Sequence, residues 1–214
     1  MAVGTRTDGR VERGNRTRRL VLRRAMDIAS VEGLKSPTLG RLAEELKLSK
    51  SGVFAVFGSK EELQLAAVRA AAEVFVGHVV NPALAAPPGL KRVWRTCESW
   101  LEYSRGRVFP GGCFFLSVTA EYDAQPGPVR DAVAQARSEW FEFVRRVIES
   151  AAKRGQLRPQ TDPAQLAFEL IAFLELSNSE SLLRGDADPY RMAAEAIRTR
   201  LRSVAADPAE LDAV

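Results

Sequence analysis

Apolar residues recur at helical spacing along most of the chain, and glycine and proline residues divide this pattern into segments. The first segment, residues 16–32, presents one apolar face and stops before Gly33, a natural end for a helix. Because no βαβ pattern, Gly-rich phosphate loop or internal repeat interrupts the series, the sequence predicts an all-α protein. Asn81 and Pro82 are expected to end the helix that follows the short N-terminal ones. The later helices are predicted over residues 59–80, 90–105, 113–122, 128–154, 162–184 and 189–205.

Residues 38–63 differ from the rest of the chain because their apolar segments are short. Thr38 is placed to cap one short helix and Ser49 to cap the next, which must end near Gly58. Ser59 with Glu62 three residues later forms a capping box, so another helix begins at once. The second short helix is expected to turn inward Val53, Phe54 and Phe57. Two short helices joined by a tight turn are typical of a DNA-binding helix-turn-helix.

The formal net charge of +4 is unevenly distributed. Residues 1–60 hold 13 lysines and arginines against 6 acidic residues, whereas residues 61–214 hold 18 against 21. A localised positive field suits a surface that binds a polyanion, although an arm that binds a membrane surface has the same charge. We therefore predict a basic DNA-binding module in front of a slightly acidic body. The expected boundaries are a flexible basic arm at 1–15, the helix-turn-helix domain at 16–62 with a connecting helix to about residue 80, a helical regulatory and dimerisation domain at 63–206, and a frayed tail at 207–214.

Residue types suggest how the helix-turn-helix contacts DNA. Phosphates are bound by cations, hydroxyl groups and free N–H groups at helix N-termini, which Lys60, Thr38 and Ser49 supply. Base edges need short side chains that let a helix enter the groove, together with a long donor, and Lys50 is that donor. The alternative is that Lys50 and Lys60 only solvate a helix surface. The predicted DNA-binding residues are Arg16, Arg18, Arg19, Thr38, Arg41, Ser49, Lys50, Ser51, Gly52, Phe54, Ala55 and Lys60.

Residues 16–68 resemble the N-terminal domain of TetR-family transcriptional regulators. The segment from Phe54 to Leu63 is similar to the family signature Tyr-x-His-Phe-x-x-Lys-x-x-Leu. Phe54 stands in place of the tyrosine and Val56 in place of the histidine, so two hydrogen-bonding groups are missing at these positions. The stretch from Gly111 to Val133 resembles one subtype of the family's C-terminal domain.

The resemblance implies a ligand cavity in the helical body and a dimer interface formed by its last two long helices. Here those helices are residues 162–184 and 189–205. Dimerisation also suits recognition, because one helix reads only a few base pairs and a two-fold pair reads a palindrome with higher specificity. We therefore expect a homodimer that binds double-stranded DNA, acts as a repressor and is released by an unidentified small-molecule effector.

A ligand cavity needs apolar walls and a few polar groups that orient the ligand. Glu121 would favour a cationic effector. The alternative is that the aromatic residues among the candidates form ordinary core. The candidate lining residues are Trp94, Trp100, Tyr103, Cys113, Phe114, Ser117, Glu121, Trp140 and Phe143.

Other functional classes find little support in the sequence. A single histidine and two separated cysteines offer no catalytic constellation, metal cage or cofactor motif, so an enzyme is not expected. Two variants of a regulator stay open: a thiol sensor that uses Cys97 or Cys113, and a regulator whose DNA-binding surface has degenerated at Phe54 and Val56.

The N-terminal residues are rich in arginine and lack the apolar core of a secretory signal. With no apolar run of membrane-spanning length, a cytoplasmic location is expected.

Overall fold

The computed structural model describes residues 8–211, and within that range the protein consists of α-helices with no β-strand. The prediction of an all-α protein is confirmed. A π-helical turn, Val76–Val80, lies between α4 and α5, and a 3-10 turn, Pro208–Leu211, follows α10. The helices are α1 (Asp8–Glu32), α2 (Leu39–Glu45), α3 (Lys50–Phe57), α4 (Lys60–Phe75), α5 (Asn81–Ala85), α6 (Leu90–Arg105), α7 (Phe114–Tyr122), α8 (Pro128–Lys153), α9 (Pro163–Arg184) and α10 (Asp188–Val204).

Helices α1, α2 and α3 and the start of α4 share a small apolar core. The three predicted caps are present, because Thr38, Ser49 and Ser59 each accept a hydrogen bond from the backbone N–H three residues later. These bonds satisfy donors that a helix leaves free at its first turn, and they determine where each helix begins. The buried residues of this core are Val21, Ala25, Ile28, Leu39, Leu42, Ala43, Val53, Phe57, Leu63 and Ala66.

Helix α1 begins at Asp8, so the predicted start at residue 16 is wrong, and so is the prediction of a flexible arm over residues 8–15. Extending an existing helix gains one hydrogen bond for each residue that is fixed, and this stretch contains no proline to stop it. Residues 1–7 of the predicted arm lie outside the described residues.

The connecting helix continues past the point where Asn81 and Pro82 were expected to end it. The π-helical turn comes first, and α5 then begins at Asn81 with Pro82 in its first turn. Pro82 has no N–H group to continue the helical hydrogen bonds, and the change from α-helical to π-helical bonding just before it accommodates that loss. The stretch Lys60–Ala85 is thus long and apolar enough to cross a membrane by length and composition, although 44% of its most apolar window is buried inside the protein. The expectation that no run reaches this length is corrected accordingly.

The larger core lies in the body, where α6 packs against α8, α9 and α10. Its fully buried large side chains include Trp100, Tyr103, Phe109 and Phe114. Two helices of the N-terminal domain also enter this core: α1 through Met26 and Ala29, and α4 with the π-helical turn that follows it through residues 67–79. The N-terminal domain is therefore joined to the body by packed helices and not only by a linker.

The C-terminal segment packs onto the body instead of fraying. Leu211 is buried, the Gln156 amide donates to the Glu210 carboxylate at 2.5 Å, and the N–H of Ala206 donates to the Gln156 carbonyl at 2.9 Å. The predicted frayed tail is therefore wrong for residues 207–211. Residues 212–214 lie outside the described part of the chain.

Candidate nucleic-acid interface and candidate ligand cavity

Helix α3 presents one face to solvent, with Lys50, Ser51, Phe54 and Ala55 exposed. Val53 and Phe57 lie one turn apart and are buried at 0% and 5% exposure, whereas Phe54 is 49% exposed. The prediction that Phe54 turns inward is wrong: Phe54 lies about 60° around the helix from the exposed Ser51, whereas the buried Val53 points about 100° away from it. The exposed face of α3 therefore consists of short side chains with Lys50 at its N-terminus and one aromatic ring.

Two hydroxyl groups at helix N-termini have the geometry expected of phosphate donors. The oxygens of Thr38 and Ser49 accept bonds from Arg41 N–H and Gly52 N–H, both at 3.1 Å. Each residue is exposed, and its own O–H remains able to donate to an external anion. A methyl group at Gly52 would lie 2.8 Å from the Ser49 hydroxyl oxygen, so glycine at this position also relieves crowding around the cap.

The predicted cationic residues fall into two groups. Lys50, Lys60, Arg16 and Arg19 are exposed. Arg18, in contrast, packs over the Phe57 ring at 5.0 Å and donates to the Val56 carbonyl at 3.3 Å.

Arg41 is bound within the N-terminal domain. Its guanidinium donates to both carboxylate oxygens of Glu32, at 2.6 and 2.8 Å, and to Glu45 at 2.8 Å. These hydrogen bonds lower the pKa of both carboxyls and raise the pKa of Arg41. Arg41 thus ties α2 to the end of α1, and its charge is matched by carboxylates of the protein.

A cavity of about 200 Å³ lies in the body between α4, α6, α7, α8 and α9. The Phe75 ring meets Trp140 edge-to-face with centroids 5.0 Å apart, and the Trp140 and Phe143 rings are stacked at 5.9 Å. Such arrangements hold aromatic rings in fixed positions around a space. The lining residues are Ala72, Phe75, Val76, Val80, Trp100, Cys113, Phe115, Ala136, Arg137, Glu139, Trp140, Phe143 and Glu175.

Three charged side chains and one thiol line the cavity. Arg137 donates to the Glu175 carboxylate at 2.5 Å, which pairs two of the charges. Glu139 accepts a bond from the neutral Gln135 amide at 2.7 Å. Burial raises the pKa of Cys113 to about 11, so its thiol is neutral near pH 7. Within residues 8–211, no cluster of histidine, cysteine, aspartate and glutamate side chains has the make-up of a metal site.

Four of the nine predicted lining residues border this cavity, namely Trp100, Cys113, Trp140 and Phe143. Tyr103 and Phe114 lie in the core, and Trp94 lies under the Arg198 guanidinium, 4.3 Å from its ring centroid. The prediction missed Phe75, Arg137, Glu139 and Glu175. Helical spacing around Trp140 and Phe143 would have indicated residues 136, 137 and 139 of α8, whereas nothing in the sequence links Phe75 or Glu175 to them.

Ser117 and Glu121 were predicted to line the cavity, and in the structure both contact the N-terminal domain instead. The Glu121 carboxylate accepts bonds from the backbone N–H groups of Leu34 at 2.5 Å and Lys35 at 3.1 Å. The Ser117 hydroxyl donates to the Ser30 carbonyl at 2.6 Å. Helix α7 therefore holds the end of α1 and the turn that leads to α2.

The approach between α7 and α1 is close. The Gly111 N–H donates to the Ser30 hydroxyl oxygen at 3.1 Å, and a methyl group at Gly111 would overlap the backbone carbonyl of Ser30. Nearby, the Arg23 guanidinium donates to the Val108 carbonyl at 2.7 Å and lies over the Phe109 ring. We refer to the contacts of Ser30, Leu34 and Lys35 with Gly111, Ser117 and Glu121 as the α1–α7 junction.

Comparison with known proteins adds family information to this geometry. Residues 89–197 match the family model "Tetracyclin repressor-like, C-terminal domain". No curated protein matches the sequence. A TetR transcriptional regulator from Chloroflexus aurantiacus J-10-FL has a TM-score of 0.84 and 25% identity, over 91% of this chain and 98% of that chain.

Two further solved structures share the fold at lower identity. A protein from Saccharomonospora viridis, in complex with choline, has a TM-score of 0.76 and 20% identity, over 89% of this chain and 98% of that chain. AibR, in complex with isovaleryl coenzyme A and operator DNA, has a TM-score of 0.63 and 17% identity, over 76% of this chain and 86% of that chain.

Proposed function

Since the chain belongs to the tetracycline repressor-like (TetR) family of transcriptional regulators, we propose that it represses transcription as a homodimer bound to a palindromic operator and that a small molecule releases it. The observation that carries the DNA-binding part is the exposed face of α3. Lys50, Ser51 and Ala55 are exposed there, while Val53 and Phe57 anchor the opposite face in the core. A short helix with small outward residues and one long cation suits entry into the major groove.

The proposed contacts divide into two kinds. Lys50 is proposed to contact a guanine. Phe54 stands where the family signature has a tyrosine, and its exposed ring is proposed to contact a thymine methyl group in place of a hydrogen bond from the tyrosine hydroxyl. Thr38, Ser49 and Lys60 are proposed to contact phosphates, with Arg16 and Arg19 of α1 adding charge. Arg41 and Arg18 act differently, since both are engaged within the domain and position α2 and α3.

Helices α9 and α10 are proposed to form the dimer interface. Large apolar side chains are exposed along them, with Phe168 at 64%, Leu176 at 60% and Leu183 at 82%. Monomeric proteins seldom leave such a patch uncovered, and a two-fold interface would bury it against its own copy. A groove of about 370 Å³ between α9 and α10 is lined by residues that include Phe173, Leu176 and Met192, and it offers a place for side chains of the second subunit.

The cavity in the body is proposed to bind the effector. Its walls are mostly apolar with a few charged groups, as ligand sites commonly are. Among the structures that share the fold, one holds choline and another holds isovaleryl coenzyme A together with operator DNA. These ligands differ widely in size and charge, so the fold supports a ligand response without deciding which ligand this chain binds.

The same helices that line the cavity also reach the DNA-binding domain, which suggests how binding is transmitted. Helix α4 contributes Leu63 to the N-terminal core and Phe75 to the cavity. Helix α7 contributes Phe115 to the cavity and Glu121 to the α1–α7 junction. A ligand that fits better when α4 and α7 are displaced would shift the population toward another spacing of the two reading helices. An unchanged spacing in structures with and without ligand would contradict this mechanism.

The alternative of a thiol sensor loses support. Cys97 and Cys113 are 1% and 3% exposed. Burial raises their pKa values to about 12 and about 11, so little reactive thiolate forms near neutral pH.

A titration of variants on specific and random duplexes tests the DNA-binding proposal, using a duplex selected from a random library. Lys50→Ala is expected to weaken binding to the selected duplex much more than to random DNA. Lys60→Ala is expected to weaken both equally and to reduce the salt slope by about 1. Lys153→Ala, an exposed lysine at the end of α8, is the control and should change neither. Equal losses on both duplexes for Lys50→Ala would refute its proposed role as a base contact.

A further inference from the structure

The cavity in the body carries an excess of negative charge. Arg137 and Glu175 neutralise each other through their 2.5 Å ion pair. The remaining charged lining residue is Glu139, which is exposed to solvent; its carboxylate accepts a bond from the uncharged Gln135 amide and, within residues 8–211, is in no salt bridge. A ligand that enters the cavity therefore meets one carboxylate whose charge is not compensated.

The aromatic walls reinforce this preference. Five rings border the cavity, and two of them, Trp140 and Phe143, are only half-buried and keep ring surface open. Both lie on α8 beside Glu139, one and four residues after it. The face of an aromatic ring carries negative potential and attracts a cation, most strongly for tryptophan. The rings and the carboxylate thus act in the same direction.

An anionic ligand is expected to bind this cavity more weakly than a cation. To reach Arg137 it would have to displace the Glu175 carboxylate, and it would then leave two glutamates facing an added negative charge. A neutral apolar ligand would gain contact with the rings and nothing from Glu139.

From these observations we infer that the effector is a small organic cation with an apolar body, an amine or quaternary ammonium compound, whose charge lies between Glu139 and the ring of Trp140. This inference rests on the proposed function, because it assumes that the cavity is the effector site. The cavity volume of about 200 Å³ equals roughly seven water molecules at 30 Å³ each, so a ligand on the order of ten non-hydrogen atoms fits it.

Isothermal titration calorimetry with three probes of equal non-hydrogen atom count tests the inference. The probes are benzyltrimethylammonium as cation, N,N-dimethylbenzamide as neutral compound and 3-phenylpropionate as anion. The cation is expected to bind at least about tenfold more tightly than either of the others, since a charge close to an aromatic face and a carboxylate contributes at this level. Equal or tighter binding of the neutral or anionic probe, or no binding of the cation at millimolar concentration, would overturn the inference.

Two matched variants locate the charge. Glu139→Gln removes the carboxylate and is expected to reduce the preference for the cation roughly two- to fivefold, as for an exposed ion pair, while leaving affinity for the neutral probe unchanged. Glu142→Gln makes the same change three residues along α8, at a residue that pairs with Arg145 and does not line the cavity, and should leave the preference intact. Equal effects of the two variants would contradict the assigned position.

DNA binding is measured separately on the selected duplex without any probe. A protein that binds this duplex but shows no preference for the cation overturns the inference and leaves the DNA-binding regulator standing. A protein that prefers the cation but binds no DNA supports the cavity chemistry and refutes the proposed function.

Discussion

Glu121→Ala is expected to destabilise the protein and to loosen the DNA-binding domain from the body. In the structure the Glu121 carboxylate receives the backbone N–H groups of Leu34 and Lys35, which lie 86 or more residues away along the chain. Leu34 is fully buried, so its N–H cannot turn to water when the carboxylate is removed. Lys35 is exposed and its N–H can be hydrated.

The magnitude follows from this difference between the two donors. A buried donor left without a partner costs about 1–3 kcal/mol, and a lost hydrogen bond to a charged group about 1.5–3 kcal/mol where solvent does not replace it. Counting the Leu34 bond in full and discounting the Lys35 bond gives about 2–4 kcal/mol for Glu121→Ala. Glu121→Gln keeps an acceptor oxygen without the charge and should cost about half as much.

Urea unfolding at fixed protein concentration measures the free energy, and hydrogen exchange at the Leu34 amide reports the junction directly. The control is Gln125→Ala, which removes two exposed bonds, one from the Lys35 ammonium and one to the Glu121 backbone carbonyl, and should change stability by less than about 0.5 kcal/mol. If Glu121→Ala matched the control in stability and left Leu34 exchange unchanged, the reasoning about the α1–α7 junction would be refuted.

Three further predictions concern the dimer surface, the junction and pH. Leu183→Glu is expected to shift the protein toward monomer in analytical ultracentrifugation, because it places a charge on the proposed interface, whereas Leu84→Glu, equally apolar and exposed elsewhere, should not. Gly111→Ala should cost about 1–3 kcal/mol in urea unfolding because its methyl group meets the α1 backbone, while Gly40→Ala, in open space within α2, should stabilise by up to about 1 kcal/mol. Arg41 holds the pKa values of Glu32 and Glu45 below their ordinary value of 4.5. The two ion pairs therefore stabilise the folded protein fully above pH 4.5, and this contribution is lost as the pH falls through the lowered pKa values. Thermal melts should therefore show this loss on acidification, and Arg41→Gln should reduce it.

Local signals allowed the helices to be predicted well from the sequence. A cap such as Ser49 acts on the residues that follow it at once, so its effect does not depend on the rest of the fold. The boundaries of α6 to α10 agree with prediction to within one residue, since glycine and proline mark their ends. The exceptions have local causes as well: Pro82 was compatible with the first turn of α5, and α1 continued upstream of residue 16.

Pattern alone did not decide orientation within the short helix α3. Val53, Phe54 and Phe57 are all apolar, so their hydrophobicity alone predicted that all three face the core. Packing against α1 and α2 determines that Val53 and Phe57 are buried and that Phe54 is exposed.

The cavity and the α1–α7 junction depend on contacts between distant segments. Phe75 and Trp140 meet edge-to-face although 65 residues separate them, and Ser117 finds the Ser30 carbonyl across 87 residues. A sequence without aligned relatives carries no direct signal for such pairs. Glu121 was therefore predicted in the cavity, where its charge would favour a cationic effector, while the carboxylates that border the cavity belong to Glu139 and Glu175.

The central claim is that this chain is a dimeric regulator that reads a palindrome through α3. Selection of bound duplexes from a random library, followed by footprinting of the selected site, tests that claim most directly. The account predicts two inverted half-sites, with centres separated by about one helical turn of DNA or a multiple of it, and loss of protection with Lys50→Ala. Failure to select any duplex at low salt, or protection of a single half-site by a monomer, would contradict it.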